Sequence, residues 1–461
     1  MTCAYQLAKH GFVVDVFESG DEVGGMSKTI KLWNQKVDLG PHRFFSDDSR
    51  VNELWLEVVQ DDYEMIDRLT RIFYKGRFFY YPLKAFDALL NLGYIEAARC
   101  FFSYLKEKIL PINQDGSFEN WVVSRFGRRL YEHFFKTYTE KLWGISCKEL
   151  DSDFADQRIR GLSLYEALKN ALTGGKNNRH KTLVDQFAYP NGGTGTVYKK
   201  MAIQIENRKG RIFYNSPVKR VVNDEDKAVA VQLNSGDIYE YDHIVSTMPI
   251  TNLILGFSGV PDNILDLCHQ LYYRNTILVY LKVDHPDLFR DNWLYIHSAE
   301  LQTGRMTNFQ NWTATKSTRH DHTILAQEYW CYDGDTIWTL DDSDLIEKAI
   351  DELRLTTLSK EARILDGYVH RIGRAYPVYF HGYKKIIKEI EAYLDGMDCL
   401  TVIGRNGSFK YNNQDHSILM GILAAENLIG HANHNLWEIN VDTEYQEKAI
   451  ITKTGLGPRK K

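Results

Sequence analysis

The chain has 461 residues, beyond the size at which one hydrophobic core stops growing, so two domains are expected, interleaved in sequence. Charged residues make up 25% and the net charge is −5, with Arg459-Lys460-Lys461 the one basic block, which excludes nucleic acid as a partner on electrostatic grounds. Six cysteines without CxxC spacing exclude a zinc knuckle and a disulfide framework, and no apolar run approaches the ~18 residues of a transmembrane helix. The first residues, MTCAYQLAKHG, lack a signal-peptide layout, so a cytoplasmic protein is expected. An aromatic share of 13% suits either a large apolar ligand site or a large core.

In chain order, Thr2 to His10 read as the second half of a helix, with Gly11 at its stop position. Phe12 to Glu18 (FVVDVFE) follow as a short buried strand, and Gly20, Gly24 and Gly25 mark a loop. Helical periodicity dominates from about 50 to 175, with aromatic stretches at 86–90 and 131–135. Residues 82–111 are apolar and amphipathic, and a core or domain-interface helix pair is the expected reading ahead of a membrane-docking one. Phe187 to Met201 form a loop feeding a helix. Arg211–Val222, Val229–Leu233 and His243–Thr247 are strands, and 268–330 is strand-rich. Asp344–Leu358 is an amphipathic helix, Leu400–Gly404 a buried strand, and Ser417–Ile429 an apolar helix; the tail beyond 440 is polar. Arg319-His320-Asp321-His322 is read as a polar loop, and no metal site is expected.

A dinucleotide fingerprint has a strand, a GxGxxG turn opening a helix, and an acid about 20 residues further on. Only the last part is present. Glu18 ends a hydrophobic strand, where its carboxylate can accept both hydroxyls of a ribose, or simply close the strand at the surface. Gly24 and Gly25, followed by Met26, let backbone approach a diphosphate, though a plain turn would use them too. Gly40 and His42 follow in DLGPHRF. Near the other end, LTVIGRNGSFKYNNQDHSILMGILAAE leads from a strand ending at Gly404-Arg405, through Tyr411, Asn413 and Asp415, into a helix. Its N-terminus suits an anionic ring edge, or is merely capped by Asn413 or Asp415.

In this order, ESGDEVGGMSKT, DLGPHRF, YPNGGTGTVYKKM, NSPVKRVV, RAYPVYFHGY and VIGRNGSFKYNNQD resemble the FAD-dependent amine-oxidase and protoporphyrinogen-oxidase superfamily. The resemblance implies an α/β fold, α+β overall. A Rossmann-like FAD-binding domain (1–50, 185–250 and 395–435) would carry an inserted mixed α/β substrate domain (51–184 and 251–394), before a polar tail at 440–461. FAD is the implied cofactor, with Glu18, Gly24, Gly25, Met26, Gly40, His42, Val218, Gly404, Arg405, Asn413 and Asp415 around it.

One branch is similar in finer detail. YTEKLWGISCKEL (Tyr138 to Leu150) and GRNGSFKYNNQD resemble stretches of the UDP-galactopyranose mutases. That likeness implies Arg405 beside the flavin, Tyr411 on a substrate diphosphate, Tyr376 as a second tyrosine over the site, and Arg305 and Arg158 as substrate arginines. The sequence departs from the branch at Leu162, where a second arginine belongs, and at Asn413, where an acid belongs. The strand and glycine loop expected before Thr2 are not in the sequence, and a start assigned too far downstream is the expected explanation, ahead of a non-catalytic remnant. The leading expectation is an oxidoreductase passing a hydride from a small molecule to FAD. The alternatives are a redox-neutral mutase acting on a nucleotide sugar and a non-catalytic remnant.

Overall fold

The computed structural model describes residues 1–81, 91–155, 186–312, 320–359 and 361–440. Helix Thr2–Lys9 stops as its spacing predicts. Gly11 adopts φ +85°, and the N–H groups of Gly11 and Phe12 return to the carbonyls of Ala8 and Leu7. That closure draws Phe12 out of the expected strand, which forms only over Asp15–Phe17. The strand runs parallel to Arg211–Phe213, and Arg211 donates to both carboxylate oxygens of Asp15.

A second parallel pair joins Ile244–Ser246 to Leu400–Val402. Helix Gln414–Ile429 begins three residues earlier than expected, because Asn413 and His416 exchange side-chain and backbone hydrogen bonds in a capping box. This helix crosses Thr2–Lys9 closely. A Cβ on Gly421 would lie 2.7 Å from that of Thr2 and 3.0 Å from the Cys3 nitrogen. Both helices, with Gly195–Asn207, share one core that includes Tyr5, Leu7, Met201, Ile418 and Ile422.

The stretch from 50 to 175 is less helical than its periodicity suggests. Ser49–Val59, Tyr94–Ile109, Phe118–Phe126 and Thr137–Trp143 are helices, but Tyr63–Asp67, Thr70–Tyr74 and Arg77–Tyr80 are strands. Lys75 and Gly76 both take positive φ, the requirement of a two-residue hairpin turn, and the aromatics on either side then alternate across a sheet. The 86–90 stretch lies outside the described residues. Of the core or domain-interface helix pair expected over 82–111, residues 82–90 lie outside the described residues; in helix Tyr94–Ile109 Ala97 and Cys100 are buried, while Tyr94, Ile95, Phe102 and Ile109 face outward, which is not the burial of a core helix.

A seven-stranded sheet follows the order Ile364–Pro377, Tyr273–Val283, Thr323–Cys331, Arg305–Asn308, Trp293–Ile296, Thr70–Tyr74, Arg77–Tyr80. Its pairs are antiparallel except Trp293–Ile296 with Thr70–Tyr74. Alternate residues of Tyr273–Val283 serve two cores. Ile277, Val279 and Leu281 meet Leu345 and Leu353 of helix Asp342–Leu355, while Leu278 and Tyr280 meet Phe187 and Trp312. Ile364–Pro377 was not anticipated as a strand. The expected strand 211–222 divides at a turn where Asn215 has φ +50°. His322 contacts Gln35 and Asp321, consistent with the loop expected there, and the tail beyond 440 lies outside the described residues.

Candidate active site

One cavity of about 1320 Å³ runs between the two parallel pairs toward the seven-stranded sheet. Glu18, at the end of Asp15–Phe17, lines it, and its Oε1 accepts the Gly20 N–H at 2.8 Å. Gly24 and Gly25 stand at φ +120° and +55°, so only glycine keeps this backbone unstrained against the cavity; Met26 follows on the same wall. Val218 starts its strand at the cavity edge. Gly404 closes Leu400–Val402 with φ +87°, and a Cβ there would reach Thr247 at 3.5 Å. Asn413 and Asp415 bring the N-terminus of Gln414–Ile429 to the same space.

His42 also lines the cavity. Its Nδ1 is buried with no hydrogen-bond partner, and burial, reinforced by the charges of Arg305 and Arg405, pushes its pKa down to about 3. A neutral imidazole with an orphaned ring nitrogen facing a long cavity fits a bound group that supplies the missing partner. Gly40, at φ +106°, backs the pair formed by Arg305 and Glu328. Asp38 beneath it is fully buried; burial raises its pKa to about 6 against the opposing hydrogen bonds from Thr29, Tyr189 and Thr194.

At the far end the cavity meets an arginine between aromatic rings. Arg405 donates to the carbonyls of Ala375 and Asn412 at 2.9 and 2.8 Å. Its guanidinium carbon lies 4.8 Å from the ring centre of Tyr376 and 4.5 Å from that of Tyr411. The two tyrosines stack at 5.4 Å, and Trp143 meets Tyr411 edge-on. Arg305 and Glu328 face each other on neighbouring strands and form a bidentate pair, 2.6 Å on each arm. The structure thus brings Tyr376, Tyr411, Arg305 and Arg405 to one place. Arg158, and with it Leu162, lies outside the described residues.

Three lining residues escaped sequence reasoning. Tyr138 stacks on His297 at 4.7 Å, and both line the cavity. The signal for Tyr138 was its place at the head of YTEKLWG. In that motif Lys141 is a staple: its ammonium donates to the carbonyls of Ile296, Ser298 and Thr303 at 3.0 to 3.1 Å, and burial lowers its pKa to about 8. Trp143 is wholly buried against Tyr379, and Gly144 ends the helix in the left-handed region where a Cβ would strike Arg274. Glu328 was signalled by being an acid within the uniformly buried strand Thr323–Cys331, which demands a cationic partner. His297 left no sequence signal.

Paired parallel strands, a backbone cradle and a helix N-terminus around one long cavity supply what a dinucleotide site requires, here opening on an apolar and cationic chamber. The sequence agrees. Residues 1–377 match the family described as flavin containing amine oxidoreductase, and the chain belongs to that family. FAD is its cofactor. Among known proteins it is similar to "Probable UDP-galactopyranose mutase" of Klebsiella pneumoniae, 29% identical over 157 residues, which are 32% of this chain and 39% of that one. The match thus spans well under half of that relative. Among solved structures, reduced UDP-galactopyranose mutase superposes with a TM-score of 0.83 at 22% identity, covering 95% of this chain and 94% of that one. Putrescine oxidase bound to putrescine superposes at 0.60 with 15% identity, covering 93% and 96%. These two show a shared fold.

Proposed function

We propose that the chain is a flavoenzyme acting on a nucleotide sugar, without net redox change, in the manner of a mutase. The observation that carries this reading is the placement of Arg405 over Tyr376 and Tyr411, with Arg305 and Tyr138 in the same chamber. Arginine and phenol groups around a low-dielectric space recognise a diphosphate through charge-assisted hydrogen bonds. The likeness to UDP-galactopyranose mutases in YTEKLWG and in overall fold supports the same choice.

In this reading Glu18 takes the ribose hydroxyls of FAD. Gly24, Gly25 and Met26 carry the backbone against its diphosphate, and Val218 borders the adenosine. Gly40, His42, Gly404, Arg405, Asn413 and Asp415 surround the ring. Segments 1–50, 185–250 and 395–435 form the cofactor domain, and 51–184 and 251–394 carry substrate. When bound, the flavin supplies a hydride acceptor or, once reduced, a nucleophilic ring nitrogen. The protein's own part is to hold and orient. Tyr411, with Arg305 in the same chamber, meets the leaving diphosphate, and Tyr376 fixes the ring of Tyr411 by stacking. Glu328 holds Arg305 in a fixed aim, and neutral His42 adds no competing positive charge. Trp143, Phe154 and Phe118 exclude water from the chamber.

The test is anaerobic. Protein reduced with dithionite is given UDP-galactopyranose, and the products are separated by chromatography. Conversion to an isomer by the reduced form, with none by the oxidised form and no change in flavin absorbance, supports the reading. A second reading, hydride-transferring oxidation of a less polar substrate, is favoured by one feature: Glu328 already occupies both arms of Arg305. Under it, the substrate bleaches the oxidised flavin anaerobically without added reductant, and the mutase reading fails.

A further inference from the structure

Apart from the flavin cavity, three side chains of metal-ligating type meet between two elements. Glu96 and Cys100 stand four residues apart on helix Tyr94–Ile109, one turn from each other on one face. His133 comes from the π-helical turn Glu132–Lys136, which leads directly into helix Thr137–Trp143. A carboxylate oxygen, the thiol sulfur and a ring nitrogen of these residues all lie within 4.8 Å of one another. A π-helical turn is rare and concentrates at functional sites. The imidazole is also held from behind. Its Nδ1 lies 3.0 Å from the hydroxyl of Tyr74, on strand Thr70–Tyr74, and its Nε2 lies 3.0 Å from Oε1 of Glu96. With Nδ1–H donating to the phenol oxygen, Nε2 and Oε1 face each other as two acceptors unless a proton or a cation stands between them.

We propose that Glu96, Cys100 and His133 form a binding site for a divalent, zinc-type cation. Thiolate, imidazole and carboxylate together select a borderline-soft metal over magnesium or calcium, which take oxygen ligands. Tetrahedral bonds of about 2.0 Å to nitrogen and oxygen and about 2.3 Å to sulfur set the ligand atoms roughly 3.3–3.8 Å apart, so the site closes with shifts of at most roughly 1.5 Å. On binding, the cation replaces the proton between Nε2 and Oε1 and the proton on Sγ. Both protons pass to water, and a water molecule takes the fourth position. Tyr74 is the outer hydrogen-bond partner that a ligating histidine uses to fix its ring. Arg129 and Arg99 donate to the two oxygens of Glu96 at 2.6 and 3.3 Å. Their side chains are 39% and 59% exposed, so water screens their charge, and they serve as outer donors to the ligating carboxylate or turn aside. Glu96 and His133 reach solvent while Cys100 is buried behind them, which gives the ion a path in. A bound ion joins helix Tyr94–Ile109 to the turn whose next residue, Phe134, lines the cavity together with Tyr138.

The experiment is an anaerobic titration of the flavin-loaded, chelator-treated protein with cobalt(II). Bands of tetrahedral cobalt to the red of the flavin absorbance, with a near-ultraviolet thiolate-to-cobalt band, are expected at one equivalent, and zinc should abolish them. Cys100→Ser should remove the thiolate band. Tyr74→Phe, which takes away only the outer hydrogen bond, should weaken cobalt affinity about tenfold. Far-ultraviolet circular dichroism and flavin absorbance, unchanged in both variants, show that each is folded. Should Cys100→Ser not fold, His133→Gln supplies the same comparison through loss of tetrahedral cobalt. No tetrahedral spectrum from the wild type at cobalt well above the protein concentration overturns the proposal. So does a spectrum that persists in Cys100→Ser or in His133→Gln, since the cation then sits at another cysteine.

Discussion

Arg305 and Glu328 show how single residues set the chamber. Glu328 is almost completely buried, and its carboxylate is neutralised by one guanidinium at 2.6 Å on both arms. Removing one partner strands a buried charge. Glu328→Leu should destabilise the fold by about 3–5 kcal/mol in urea denaturation, and Arg305→Met with Glu328→Leu together should recover most of that loss. Two buried histidines give a second residue-scale prediction. Burial pushes both His42 and His297 down to about 3, helped by the two arginines for the first and Lys141 for the second. The unfolded chain takes up protons near the ordinary value of 6.5 while the folded one does not. Their contribution is present above that value and is lost progressively as pH falls from there toward 3. Asp38 acts in the opposite sense: its raised pKa makes its contribution greatest in acid and lost as pH rises through about 6. Comparing His297→Gln with wild type removes the Asp38 background. The variant's urea midpoint should fall less steeply between about pH 7 and about pH 5, and equal slopes would contradict the burial argument.

At the scale of elements, the motif Tyr138 to Gly144 shows what a sequence pattern conceals. YTEKLWG reads as a ligand signature, yet its lysine is structural. Lys141 gathers three carbonyls from the loop after Trp293–Ile296, tying the helix to the seven-stranded sheet. Lys141→Met should cost about 3 kcal/mol or more in denaturant titration, because three buried acceptors lose their donor. The helix crossing at Gly421 gives another expectation. Gly421→Val should force Gln414–Ile429 away from Thr2–Lys9, lower the melting temperature and reduce flavin content after purification. Elements at both ends of the chain were legible because helix stops, caps and short Val-rich strands announce themselves locally. Glu18, Gly24, Gly25 and Asn413 could be named on the same local signals, whereas Arg405 was named only through the family resemblance. The hairpin 70–80 was hidden by aromatics that fit either period, and Ile364–Pro377 by an irregular pattern in which Gly367 and Gly373 interrupt it and Leu365 and Tyr368 face outward beside Asp366. His297 reaches the cavity only through sheet register, which no local pattern encodes.

At the scale of the molecule, the cavity between the parallel pairs makes ligand and fold one thermodynamic system. On the proposed reading FAD would bind through residues from 18 to 415, which line one cavity in the folded chain and which the unfolded chain does not hold together. Adding FAD at about a hundred times its dissociation constant should therefore add roughly 2.7 kcal/mol of apparent stability, read as a concentration-dependent rise in melting temperature. A melting temperature indifferent to FAD would remove the cavity from consideration as the cofactor site.

Among the described residues Ile244–Ser246 finds its parallel partner at Leu400–Val402, and helix Thr2–Lys9, already packed on Gly195–Asn207, is covered on its other side by Gln414–Ile429. During synthesis Ile244–Ser246 therefore lacks this neighbour, and one face of Thr2–Lys9 stays uncovered, until residues beyond 400 are made. Such long-range contacts slow folding and lengthen exposure to aggregation, so this protein's yield in a cell should depend on chaperone supply more than its equilibrium stability would indicate.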